Sequence, residues 1–317
     1  MKIVVLDGAS LNPGDNPWAE IAALGEFTCH DRTPAEQIVE RAADADVLLT
    51  NKVVLHAATL ARLPKLKFIG VLATGYNVVD VKAARARGIP VANVPVYGTD
   101  AVAEYVFALL LNFHRQPQLH SDLVKQGEWA RRGEWSFWQT PLSELAGKTI
   151  GIVGFGRIGR RVGELAAAFK MKVLALDVFK GAAPSYPVEW REVAELFAEA
   201  DVVSLHCNLT PENTGMVNAA LLARMKRTAY LINTSRGLLV HDADLAAALR
   251  AGVLAGAALD VVTAEPIPAD NPLLGAPNLT LTPHIAWAAV EARQRLMQVA
   301  AENVAAFIAG RPINVVN

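Results

Sequence analysis

Ile150-Gly151-Ile152-Val153-Gly154-Phe155-Gly156-Arg157-Ile158-Gly159 joins a short apolar run to three glycines spaced G-x-G-x-x-G. An amphipathic stretch with helical spacing follows, Arg160 to Lys170, and a second apolar run from Lys172 to Leu176 ends on Asp177. Strand, glycine turn, helix, strand and acid is the order a dinucleotide requires, because each part meets one piece of it. Gly154 allows a tight turn out of the strand. Gly156 has no Cβ, so the backbone can approach a pyrophosphate closely. Gly159 lets the helix pack close to the sheet, with its free N–H groups and positive dipole end aimed at the phosphates. Asp177 lies 18 residues beyond Gly159, where its carboxylate can accept both ribose hydroxyls of NAD and repel the 2′-phosphate of NADP. NAD is therefore the expected cofactor, with Arg157 and Lys180 near enough in sequence to soften the discrimination.

Length and composition bound the rest. A chain of 317 residues holds about two domains. With 30 basic and 31 acidic residues it has no basic excess for a nucleic-acid footprint. Cys29 and Cys207 are the only cysteines and lie far apart, which favours a reducing compartment over a disulfide framework. Met1 to Asp7 reads as a buried strand and not a signal peptide. No apolar run reaches the roughly 18 residues that span a membrane. The expectation is a cytoplasmic protein with no membrane or nucleic-acid partner.

Strands alternate with helical patterns from the first residue, which argues for parallel sheets covered by helices. Ile3–Leu6, Val47–Thr50, Phe68–Leu72 and Val91–Asn93 read as strands, with helices over 34–43, 54–62 and 78–87. Gly88 is a helix stop. Thr99-Asp100 opens a long apolar helix to about Arg115. From Thr149 to Pro283 six further strands are expected, at 149–153, 172–175, 202–205, 229–233, 255–259 and 280–281. Six is the strand number of the doubly wound dinucleotide fold. A last helix covers 290–309. The segment 126–141 carries Trp129, Trp135 and Trp138 without a clean period. It reads equally as an oligomer interface or as a satellite core beneath a loop.

Polar residues gather at strand ends of the second region, where ligands of open parallel sheets bind. Arg236 has a planar fork suited to a carboxylate and a carbonyl oxygen. His284 suits general acid–base work near neutral pH. Glu265 can hold the His284 ring and stabilise its protonated form. Asp260 can accept from a nicotinamide amide. Each has a plainer reading: a surface ion pair, a structural histidine, a solvated loop charge, a turn acid.

The motifs together are more specific. Ala73-Thr74-Gly75-Tyr76-Asn77-Val78-Val79-Asp80, the glycine run with Asp177, Asn233-Thr234-Ser235-Arg236-Gly237, Asp260-Val261 with Glu265-Pro266, and Thr282-Pro283-His284 occur in that order. In them the chain resembles the D-isomer-specific 2-hydroxyacid dehydrogenase family over nearly its whole length. The resemblance implies two doubly wound α/β parallel-sheet domains. A discontinuous flavodoxin-like substrate domain takes 1–98 and 286–317, and an inserted Rossmann NAD-binding domain takes 99–285, with the active site between them. It implies Arg236, Glu265 and His284 as the catalytic set. Substrate is then held by backbone amides of Thr74, Gly75 and Tyr76, together with Arg236 and His284. Cofactor contacts carry over to Thr74, Gly154, Gly156, Arg157, Ile158, Gly159, Asp177, Cys207, Thr234, Ser235, Arg236, Asp260 and Ala286. No metal is implied, and no Cys/His ligand spacing suggests one.

The finer resemblance is to glycerate dehydrogenases, also called hydroxypyruvate reductases. It rests on residues 73–77, on Glu265-Pro266-Ile267-Pro268-Ala269-Asp270-Asn271-Pro272 and on His284-Ile285-Ala286-Trp287. It implies hydride transfer between NADH and C2 of a small 2-oxo acid, with His284 as proton donor, in a homodimer. Glyoxylate, lactate or phosphoglycerate is the alternative substrate. A formate enzyme of the family would carry glutamine in place of Glu265. An NAD-sensing, co-repressor-like binding protein is the alternative of another class. Tyr76 and Tyr97 are bulkier than the family's usual small residues and are expected to trim the substrate pocket.

Overall fold

The computed structural model describes all residues, Met1–Asn317. The chain divides into two compact units, Met1–Gly98 with Trp287–Asn317, and Thr99–Ala286.

In the first unit, β1 (Lys2–Val5), β2 (Glu26–Cys29), β3 (Val47–Thr50), β4 (Phe68–Val71) and β5 (Val91–Ala92) form one sheet. All its pairs are parallel and its order is β2-β1-β3-β4-β5, that of flavodoxin-like folds. The chain's last helix, Val290–Ile308, belongs to this unit. Phe307 stacks on Phe68 of β4 with ring centroids 4.7 Å apart, and Asn303 donates to the Asn93 carbonyl. The tail then adds a short antiparallel bridge from Val315 to Ala92.

In the second unit, β6 (Thr149–Val153), β7 (Lys172–Leu176), β8 (Glu189–Trp190), β9 (Val202–Leu205), β10 (Tyr230–Asn233), β11 (Gly256–Leu259) and β12 (Leu279–Leu281) form a parallel sheet. Its order is β8-β7-β6-β9-β10-β11-β12, the Rossmann order with a seventh strand at one edge. The inner strands are apolar on both faces. Ile150, Ile152, Val202 and Ile232 enter one core, and Val153, Val203, Leu205 and Leu231 enter the other. A sheet buried on both sides reads as continuous apolar runs, which is why these strands show in the sequence.

Two strands do not show there. β2 and β8 are edge strands of mixed polarity, and β8 has only two residues, so pairing with a neighbour creates them. Helix starts also move. The helix after the glycine turn begins at Arg157, not Arg160, because Gly159 inside its first turn hides the helical pattern. The helix expected over 78–87 is Val81–Ala86, since the Asp80 side chain accepts from Ala83 N–H and caps it. The 126–141 segment contains one short helix, Glu128–Arg132. Trp135 is 93% and Trp138 63% exposed, so no core lies beneath them within this chain.

The long helix Thr99–Arg115 ends with a buried histidine. His114 Nδ1 lies 2.5 Å from Ser143 Oγ, its ring meets Tyr230 edge-on, and Nε2 is buried with no hydrogen-bonding partner in the protein. Burial, and then Lys148 and Arg115, lower its pKa from the ordinary 6.5. The unfolded chain therefore takes up this proton more readily than the folded one. His114 costs no stability above pH 6.5, and its contribution falls as pH drops from there toward the lowered folded value. Urea unfolding between pH 7.5 and pH 5.5 (roughly one pH unit above and below the ordinary value) is expected to show a shallower loss in His114→Gln than in the native protein. Equal slopes would remove His114 from this account.

Candidate active site

The carboxyl ends of β6, β7, β9, β10, β11 and β12 bring the second unit's predicted residues together. β6 leads into the glycine turn. Gly154 has φ +93°, and a Cβ there would lie 2.3 Å from the Cys207 backbone N. A Cβ on Gly159 would lie 2.1 Å from the Gly154 carbonyl oxygen. The loop after β9, the turn and the helix are thus in backbone contact, which no other residue type allows. Gly156 behaves differently. It is the N-cap of the Arg157–Ala168 helix, offers no side-chain cap, and a Cβ there would meet nothing within 4 Å. Open space therefore stands over uncapped helix N–H groups, which fits a pyrophosphate.

At the end of β7 the half-buried Asp177 accepts from Phe155 N–H at 2.6 Å and Phe179 N–H at 3.0 Å. One bond to each oxygen fixes the carboxylate and leaves lone pairs on both for ribose hydroxyls. Lys180 turns away from it, its ammonium 5.3 Å over the Trp190 ring. Arg160 donates to the carbonyls of Lys180 and Ala182, holding that loop. At the end of β10, Thr234 Oγ1 is buried without a partner in the protein, a hydroxyl still able to meet a ligand. Ser235 Oγ donates to the Cys207 carbonyl at 2.7 Å and ties two strand-end loops together. These residues fit a bound dinucleotide.

The titratable groups sort by environment. Burial pushes the Cys207 thiol up to about 11, so it is neutral and a poor nucleophile at pH 7. Burial also holds His206, 2.8 Å from Ser204 Oγ, well below the usual imidazole range. His284 is different: its Nδ1 lies 2.6 Å from Glu265 Oε2, and both side chains are partly exposed. The contact fixes the ring and directs Nδ1 at the carboxylate, an arrangement suited to general acid–base work.

His284 has φ +56°, a conformation uncommon outside glycine. Asp260, almost fully buried, holds it there. The Asp260 carbonyl accepts from His284 N–H, and its carboxylate accepts from Thr282 Oγ1 (2.6 Å), Ile285 N–H (2.9 Å) and Ala286 N–H (2.8 Å). Three of its four acceptor positions are used inside the protein, so Asp260 is first a turn acid and has one lone pair left for a cofactor amide. Ala286 is buried and takes part through this N–H. Residue type and spacing alone do not mark Thr282 as a site residue. Its only signal was its place in Thr282-Pro283-His284.

Arg236 is partly buried, and its Nη1 donates to the Ser235 carbonyl at 2.7 Å. Arg157 and Ile158 open the helix, Arg157 exposed. In the first unit, the Thr74–Tyr76 loop follows β4. Thr74 Oγ1 donates to the Val94 carbonyl, and Asn93 Nδ2 donates to the Thr74 carbonyl at 2.7 Å, so the loop is tied on both sides. Tyr76 is exposed, whereas Tyr97 is buried with its ring edge-on to Trp287 and its carbonyl gripped by Arg295. No group of three or more His, Cys, Asp or Glu side chains is placed to hold a metal ion, and no helix is long and apolar enough to cross a membrane.

A dinucleotide cradle, a histidine–carboxylate pair and an arginine at neighbouring strand ends define a nicotinamide-dependent oxidoreductase. Residues 107–286 match the D-isomer specific 2-hydroxyacid dehydrogenase, NAD binding domain. The chain is 48% identical to a hydroxypyruvate reductase of Blautia hydrogenotrophica over the full length of both. It is 41% identical to a glycerate dehydrogenase of Methylorubrum extorquens, over 99% of this chain and 98% of that one. Among solved structures it resembles an NADPH-dependent glyoxylate/hydroxypyruvate reductase from Sinorhizobium meliloti, in complex with NADP and malonate. That likeness has a TM-score of 0.84 and 29% identity, over 99% of this chain and 96% of that one. The chain belongs to the D-isomer specific 2-hydroxyacid dehydrogenase family, and its second unit carries the NAD-binding domain.

Proposed function

We propose that this protein reduces hydroxypyruvate to a D-2-hydroxy acid with NADH, using Arg236, Glu265 and His284. The observation that carries the reading is the 2.6 Å contact of His284 Nδ1 with Glu265 Oε2, on loops after β11 and β12 of the sheet whose other strand ends form the dinucleotide cradle. The names of the two relatives above, at 48% and 41% identity, support the choice of substrate.

Arg236 binds the substrate carboxylate and polarises the C2 carbonyl through its guanidinium fork. A nicotinamide held in this cradle would supply the hydride chemistry at C2. His284 Nε2 gives its proton to the developing alkoxide, and Glu265 stabilises the imidazolium that precedes that transfer. In the direction of oxidation His284 takes the proton back. Asp260 and Thr282 hold the His284 turn, so the acid is oriented before substrate arrives.

Asp177 sets NADH above NADPH, since its fixed carboxylate keeps lone pairs for ribose hydroxyls and Lys180 is engaged on Trp190. Exposed Trp135 and Trp138 support a homodimer formed through the 126–141 segment, which sedimentation tests directly. Two free, half-buried cysteines support a cytoplasmic location.

NADH oxidation with a panel of 2-oxo acids tests the substrate. The expected order puts hydroxypyruvate about tenfold or more above glyoxylate, pyruvate and phenylpyruvate in kcat/KM, the lower end of what the fit of one small group sets. NADPH in place of NADH is expected to cost at least about tenfold, because like charges would meet at Asp177. Glyoxylate on top would move the reading to a glyoxylate reductase. Absence of turnover with every 2-oxo acid would favour an NAD-sensing binding protein.

A further inference from the structure

Asn233 ends β10 in the middle of the second unit's sheet and is fully buried. Its register partners, Leu205 of β9 and Leu259 of β11, are apolar. A leucine-like side chain would suit packing there, and a buried amide is costly unless its hydrogen bonds are made. They are made to one turn. Asn233 Oδ1 accepts from Ser235 N–H at 3.0 Å, and Nδ2 donates to the Arg236 carbonyl at 2.9 Å. One rigid side chain therefore spans the turn that carries Arg236.

That turn is also pressed against the segment carrying Glu265. A Cβ on Gly237 would lie 1.9 Å from the Val262 carbonyl oxygen and 2.6 Å from Thr263 N, so the two stretches of backbone touch. Val262 N–H in turn donates to Glu265 Oε1 at 3.3 Å, while Glu265 Oε2 meets His284. The Asn233 carbonyl itself accepts from Asp260 N–H at 2.9 Å. Asn233 thus joins the turn of Arg236 to the segments that hold Glu265 and His284.

We infer that Asn233 is a positioning residue for the reaction: it keeps the Arg236 guanidinium in register with the Glu265–His284 pair, and so aligns the carboxylate of the 2-oxo acid. This rests on the proposed role of Arg236. Asn233→Asp keeps the shape and the acceptor for Ser235 N–H, but sets a carboxylate oxygen against the Arg236 carbonyl. The expected result is a KM for hydroxypyruvate raised roughly 10–100-fold, the range that a displacement of about 1 Å produces. NADH affinity, read by fluorescence titration, should fall by less than the KM for hydroxypyruvate rises, because the glycine turn and Asp177 make no contact with the Asn233 side chain. Asn233→Ser, which keeps a single small hydroxyl, serves if the aspartate variant does not fold.

The decisive readout is a double-mutant cycle with Arg236→Ala. A residue acting through Arg236 adds almost nothing once Arg236 is gone, whereas a merely structural one costs the same in both backgrounds. Additive losses, or a native KM in the Asn233 variants, would overturn the inference while leaving the reaction assignment intact. Native turnover in Arg236→Ala alone would instead overturn the reaction assignment on which it rests.

Discussion

His284→Ala is expected to lower kcat for 2-oxo acid reduction by about 10² to 10⁴-fold, the usual contribution of a positioned general acid. NADH binding should be nearly unchanged, since the ring faces Glu265 and not the glycine cradle. The turn should survive the substitution, because Asp260 holds it through backbone N–H groups that alanine keeps. Its φ of +56° costs alanine about 1–2 kcal/mol. His284→Asn, which tolerates that conformation better, separates strain from lost chemistry. Both variants should lose turnover alike, with native NADH titrations. Rates within tenfold of native in both would remove His284 as the proton donor.

Gly154→Ala should act on the other half of the site. Its Cβ would meet Cys207 N at 2.3 Å and Cys207 Cα at 2.5 Å, and its φ of +93° is one that L residues rarely adopt. Backbone on both sides cannot yield as a flexible side chain can. Strain and overpacking together are expected to cost about 3 kcal/mol or more. The Arg157 helix would be pushed from the turn that aims it. NADH affinity should fall by more than about tenfold in whatever fraction folds, equivalent to about 1.4 kcal/mol at the phosphates. Thermal unfolding and NADH titration measure the two effects separately. Native values in both would mean that the turn relaxes freely, against the backbone contacts seen around it.

The inner strands of both sheets were legible because burial on two faces leaves apolar runs such as Ile150–Val153 and Ile3–Leu6. The edge strands β2 and β8 were not, since Glu26–Cys29 and Glu189–Trp190 carry no such run and exist through pairing. The glycine fingerprint was legible because the three positions need no Cβ for reasons that hold in any such turn. For Asp260, residue type alone left two readings open. Only the geometry assigns most of its carboxylate to the His284 turn. Lys180 raised the same kind of question, and the geometry seats its ammonium over the Trp190 ring.

From sequence alone came the alternation of strand and helix, the dinucleotide turn with its acid, and the polar residues at successive strand ends. These follow from rules of local spacing and apolar period, which a chain displays before it folds. Tertiary structure decided the rest: that His284 and Glu265, 19 residues apart, meet at 2.6 Å, that Asn233 braces the Arg236 turn, and that the tryptophans of the 126–141 segment face outward. Such contacts depend on how neighbouring strand ends are juxtaposed across the sheet. That distance is set by strand order and packing, and no local pattern records it.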